Sequence, residues 1–75
     1  MDPIQVDSTL LLWVAYSPEQ QCLRLKFHSG EIYDYFQVPE STCQALLAAE
    51  SKGRYFNQHI RDAFPTQRLQ TSAAT

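Results

Sequence analysis

From Cys22 to Phe27 the chain alternates without a break, with Leu23, Leu25 and Phe27 on one side and Arg24 and Lys26 on the other. That period of two suits a half-buried β-strand and does not suit a helix. His28-Ser29-Gly30 follows at once, and then Glu31 to Phe36. A three-residue hairpin loop needs a left-handed residue at its third position, and glycine stands there. Such a loop pairs Phe27 with Glu31, Leu25 with Tyr33 and Leu23 with Tyr35, sending both tyrosines to the apolar face. A two-residue loop at Ser29-Gly30 slips the register by one and sends them to the face of Arg24 and Lys26. The first register is the expected one, because it keeps Asp34 out of the core.

The hairpin's neighbours are read outward from it. Ser8 to Tyr16 is an expected strand, with Leu10, Leu12, Val14 and Tyr16 on one face and Leu11, Trp13 and Ala15 on the other. Both faces are apolar, so both want cover. Ser17-Pro18-Glu19-Gln20 makes the turn into Cys22. Past Val38-Pro39, Ser41 to Glu50 has Cys43, Leu46, Leu47 and Glu50 at helical spacing. Ser51 is an expected N-cap for a second helix over 53–63, whose apolar stripe is Phe56, Ile60, Ala63 and Phe64. Pro65 stops it. The expected fold is therefore α+β, a three-stranded antiparallel β-meander followed by two α-helices packed on one face (βββαα). The expected divisions are an N-terminal arm over 1–7, the domain over 8–65 and a disordered tail over 66–75.

A chain of 75 residues holds one domain, and one of this size buries only about 60% of its unfolded surface. Its 44% hydrophobic and 12% aromatic content is too high for a disordered chain. The longest apolar run, Leu10 to Tyr16, falls far short of the ~20 residues of a membrane span. It lies behind Asp2 and Asp7, without the basic start of a signal peptide. The expectation is a cytoplasmic protein with no membrane partner, in which Cys22 and Cys43 are thiols.

Charge is unevenly placed. Over 1–51, Asp2, Asp7, Glu19, Glu31, Asp34, Glu40 and Glu50 outweigh Arg24 and Lys26 by five. Over 52–75, Lys52, Arg54, Arg61 and Arg68 outweigh Asp62 by three. A basic end of this kind suits a polyanion, or it is ordinary solvated surface. The start of the second helix offers free backbone N–H groups and the positive end of the helix dipole. Lys52 and Arg54 flank that start, and Gly53 lets a phosphate approach the backbone. Asn57, Gln58 and Arg61 continue along the exposed side toward phosphates or base edges. The plainer alternative is a helix–helix turn in which Gly53 serves only the bend. Tyr33 and Tyr35 likewise have two readings, as core filling or as a stacking platform beside Arg24 and Lys26.

For catalysis and metal binding the signals are poor. His28 and His59 stand in no triad spacing with a serine or cysteine. The cysteines and histidines never come in the close pairs of structural zinc sites. No enzymatic activity, metal, cofactor or small-molecule substrate is expected.

Tyr33-Asp34-Tyr35, then Val38-Pro39, then the run from Ser51 to Asn57 leading to Ile60-Arg61, resemble the KTSC domain, with Phe27 and Gly30 also in place. The resemblance runs from about Ser8 to Pro65. It implies a short module, found alone in bacteria and at the C-terminus of some lysyl-tRNA synthetases, that serves as a nucleic-acid-binding appendage. Together with the basic second helix, it sets the expected function: non-catalytic binding of DNA or RNA. Lys52, Gly53, Arg54, Asn57, Gln58, Arg61, Arg68, Arg24 and Lys26 are its candidate residues. The alternative is a protein-interaction module without nucleic acid. Because two short helices cover one side of a sheet only, a homodimer is expected, with Leu11, Trp13 and Ala15 at its interface.

Overall fold

The computed structural model describes residues 2–69. The element order is β1 (Ile4–Gln5), β2 (Leu11–Ser17), β3 (Cys22–Phe27), β4 (Ile32–Tyr35), α1 (Glu40–Ala48), α2 (Lys52–His59) and β5 (Thr66–Leu69). All strands join one antiparallel sheet in the order β1-β2-β3-β4-β5. The fold is α+β with two helices, as expected, but the sheet has five strands rather than three. Both added strands lie at edges. β1 has two residues, Ile4 opposite Val14 and Gln5 opposite Trp13, too few to produce an alternation. β5 is polar and exposed except for half-buried Leu69, so no apolar period marks it. Backbone pairing to β4 holds it, and the Phe36 amide donates to the Pro65 carbonyl at 2.9 Å to begin that pairing. Residues 66–69 of the expected disordered tail are thus a strand, and 70–75 lie outside the described residues.

The central hairpin takes the first register. Leu25 faces Tyr33, Leu23 faces Tyr35, and the Phe27 amide donates to Glu31 O at 2.9 Å. Gly30 has φ +100°, a conformation in which a Cβ would be strained. Leu23, Leu25, Phe27 and Tyr35 consequently point to the helix side, where they pack with Val38, Cys43, Leu46, Phe56 and Ile60.

β2 departs from simple alternation. Leu11 lies opposite Phe27 but Trp13 lies opposite Lys26, so Leu12 is an extra residue in a bulge. A bulge breaks the period of two. Leu11 therefore joins Val14 in the core and is 0% exposed, while Leu12 is exposed. The expected grouping of Leu11 with Trp13 and Ala15 is corrected by this bulge, and Leu11 is core rather than interface. Ser8 Oγ supports the entry to β2 by accepting from the amides of Leu10 and Leu11.

The helices are shorter than the apolar spacing implied. α1 starts at Glu40 behind the extended Pro39, where the missing proline donor costs nothing. α2 ends at His59 instead of continuing to 63, and Ile60 has φ −120°. The amides of Ile60 and Arg61 both donate to Phe56 O. This closing turn lets the chain swing across to β4 and deliver Pro65 to the sheet edge. Among the described residues no helix is long and apolar enough to cross a membrane.

Candidate nucleic-acid interface

α2 carries most of the candidate residues. Ser51 caps it as expected, its Oγ accepting from the Arg54 amide at 3.3 Å. The first turn is otherwise committed to packing. Lys52 Nζ donates to the Ala49 carbonyl at 3.2 Å, which ties the start of α2 to the end of α1. A Cβ on Gly53 would meet Leu10 Cβ at 3.3 Å, so Gly53 lets α2 lie close on the entry to β2. The helix–helix turn accounts for both residues.

Beyond that turn α2 presents Arg54, Asn57, Gln58 and the following Arg61, all exposed. Asn57 and Arg61 are four residues apart, and so lie on one side of the chain as it leaves the helix. Both line a cleft of about 670 Å³ between α2 and the β4–β5 half of the sheet, with Tyr33, Tyr35 and Thr66 on its other side. A second groove of about 530 Å³ is lined by Thr9, Ser51, Arg54 and Gln58. Leu10 and Asn57 line both, so the two grooves adjoin in a track along the helix.

The tyrosines occupy different environments within this track. Tyr35 is 4% exposed, with its ring edge-on to Phe56 at 5.6 Å between centroids. Burial, with Tyr33 beside it, pushes the Tyr35 hydroxyl up to about 12, so it remains a proton donor. Tyr33 is half-buried and packs edge-on against Phe27 at 5.7 Å. Both rings line the cleft; Tyr35 belongs to the core, and Tyr33 is the more exposed of the two. Glu31 and Asp62 also line the cleft. Arg68, opposite Tyr33 on β5, lies 3.4 Å from Glu31. Neither carboxylate was singled out in the sequence, although each adjoins a residue that was (Gly30 and Arg61).

Arg24 and Lys26 lie on the opposite face of the sheet, apart from Tyr33 and Tyr35, so the stacking platform combining all four does not form. Arg24 is bound across the strands to Asp34, with Nε to Oδ1 at 2.7 Å and Nη2 to Oδ2 at 3.0 Å. Asp34 is 6% exposed beneath it. Such a two-pronged pair satisfies a buried carboxylate. Trp13 and Ala15 share this face, Trp13 half-buried and Ala15 buried. Cys22 and Cys43 are free buried thiols whose pKa burial raises, which makes them poor nucleophiles. His28 Nε2 lies 2.7 Å from the Ser8 carbonyl, and the His59 ring lies 4.5 Å from that of Tyr55.

Residues 7–64 match the KTSC domain. A protein of Yersinia pestis, described as a KTSC domain protein, has a crystal structure that superposes with a TM-score of 0.86 at 32% identity, covering 91% of this chain and 96% of that one. An uncharacterised protein of Stutzerimonas stutzeri is 47% identical over 58 residues, 77% of this chain and 82% of that protein. A lysine–tRNA ligase of a Nostoc species is 44% identical over 54 residues, which is 72% of this chain but 10% of the ligase.

Proposed function

Because this chain belongs to the KTSC-domain family, and because its α2 borders two adjoining grooves lined by cationic, amide and aromatic side chains, we propose that it binds nucleic acid without catalysing a reaction. The observation that carries the reading is the adjacency of the two grooves, which share Leu10 and Asn57 and bring Arg61 and Tyr33 in one beside Arg54 in the other. Arginine side chains hold phosphates, amides such as Asn57 and Gln58 reach phosphates or base edges, and an aromatic ring offers a surface for stacking. Lysine–tRNA ligases that carry a similar segment are enzymes that act on an RNA, which supports the same class of partner. The contact surface is the exposed side of α2 from Arg54 onward, with Gly53 also lining the second groove and Lys52 tied to the Ala49 carbonyl.

Two arginines contact about two phosphates. On a single strand this gives a log–log salt slope near −1.4, a loss of about sevenfold between ~50 and ~200 mM salt. Fluorescence anisotropy with a labelled single-stranded RNA 12-mer measures it. The double variant Arg54→Glu, Arg61→Glu is expected to abolish binding while keeping the native circular-dichroism spectrum. Unchanged affinity in that variant overturns the proposal.

A second reading, a protein-interaction module, is favoured by one observation. Trp13 and Ile32, both half-buried, lie on the sheet face that no described element covers. In that reading the partner is a second copy, with Trp13 at a two-fold interface; Ala15, 2% exposed, is already buried within the single chain. Sedimentation equilibrium at micromolar concentration then yields a dimer, and a monomer of 8.6 kDa argues against it.

A further inference from the structure

We infer that the track selects unpaired strands over duplex, with one base seated against Tyr33 in the cleft between α2 and the β4–β5 edge. The inference rests on the nucleic-acid reading above and names its substrate class. Three features of the site carry it.

The polar groups border the cleft. Asn57 and Arg61 line the cleft together with Tyr33 and Tyr35, so a ligand that uses them enters between helix and sheet. A base pair inside a duplex cannot enter, because its faces are covered by the neighbouring pairs. An unpaired base can rotate out of its strand and offer both its face and its edge. The cleft, at about 670 Å³, falls within the ~300–1,000 Å³ of sites that enclose small ligands.

The aromatic surface is also preorganised. Phe27 and Tyr35 sit beside Tyr33, Phe27 edge-on with centroids 5.7 Å apart and Tyr35 at 6.4 Å and 32°. These neighbours limit the freedom of the ring, so a base that stacks on it spends little conformational entropy. Asn57 supplies an amide to a base edge from the opposite wall, and Arg61 supplies a donor to the adjoining phosphate. The strand then continues past Leu10 toward Arg54 and Gln58 in the second groove.

Charge completes the selection. Among the described residues lining the two grooves, Arg54 and Arg61 are opposed by Glu31 and Asp62, and the neighbouring Arg68 is paired with Glu31. A surface so nearly balanced cannot grip the dense phosphates of a duplex, whose binding depends on many neutralised charges. Stacking has to supply the discrimination.

The test uses the full chain and fluorescein-labelled 12-mers: single-stranded RNA, single-stranded DNA and a blunt DNA duplex. Either single strand is expected to bind at least tenfold more tightly than the duplex in anisotropy titrations at low salt. Tyr33→Ala is expected to weaken single-strand binding about tenfold, within the range for loss of one stacked base, and Tyr33→Phe to retain it. Asn57→Glu, at an exposed position, supplies a second variant that does not depend on the packing of Tyr33 and should also weaken single-strand binding at least tenfold. Equal or tighter duplex binding overturns the inference, as does unchanged single-strand affinity in both Tyr33→Ala and Asn57→Glu. If the wild-type chain binds none of the three probes, the nucleic-acid reading falls with it. If all three bind equally and the Arg54→Glu, Arg61→Glu variant loses them, only the strand selection falls.

Discussion

On the helix side of the sheet, Leu23, Leu25 and Tyr35 are buried by Cys43, Leu46, Phe56 and Ile60. On the opposite side Ala15 and Asp34 are buried with no helix above them. The first face is closed by apolar side chains brought from distant parts of the chain. The second is closed locally, by Arg24 bound to its cross-strand partner Asp34. The two solutions leave different openings. Two helices of nine and eight residues are too short to cover five strands, so their cover thins over β4, where Tyr35 still meets Phe56, and leaves β5 exposed apart from Leu69. The candidate site lies in that gap, walled by core residues on one side and by solvent-facing polar groups on the other.

The sharpest contrast within the helix side is between its two tyrosines. Tyr35→Ala is expected to cost about 3–5 kcal/mol, as large aromatic truncations do in a core, and to unfold a substantial fraction of so small a domain. Tyr33→Ala, at the rim of the same face, should cost clearly less. Thermal melts of the two variants check the ranking, and equal losses would erase the distinction between core and cleft. On the outer face, Arg24→Ala should be more damaging than Asp34→Ala. The first leaves a buried carboxylate without a partner, at about 1–3 kcal/mol, whereas the second leaves a guanidinium that can turn to water. Urea unfolding of both variants measures the difference. The smallest effect concerns Gln37, which holds φ +64° in the link from β4 to α1. Gln37→Gly relieves that left-handed strain and should raise stability by up to about 1 kcal/mol. A fall in melting temperature would mean that the glutamine side chain contributes there.

Much of the helix-side face was legible because its signals are periodic. Leu23, Leu25 and Phe27 declare a buried strand face, Gly30 declares the loop that sets the register, and Cys43, Leu46, Phe56 and Ile60 recur at helical spacing. The bulge at Leu12 was not legible, because Leu10 to Trp13 are all apolar and offer no contrast from which to read a change of parity. β5 escaped notice since an edge strand held by backbone pairing needs no apolar period. The site was half legible. Arg54, Asn57, Gln58 and Arg61 stood out on the polar side of a helix, and the tyrosines stood out as a pair. That Lys52 and Gly53 pack at the turn, and that Tyr33 is the more exposed of the two tyrosines lining the cleft, depends on contacts with Ala49, Leu10 and Phe56 that local sequence does not encode.

The central claim is that binding occupies the gap on the helix side and leaves the outer face untouched. Titration of the ¹⁵N-labelled chain with single-stranded RNA, followed by amide chemical shifts, tests it residue by residue. The account predicts movement at Tyr33, Arg54, Asn57, Gln58, Arg61 and Thr66, with Ala15, Arg24 and Lys26 unchanged. Shifts centred instead on Trp13, Arg24 and Lys26 would place the partner on the outer face and contradict the account.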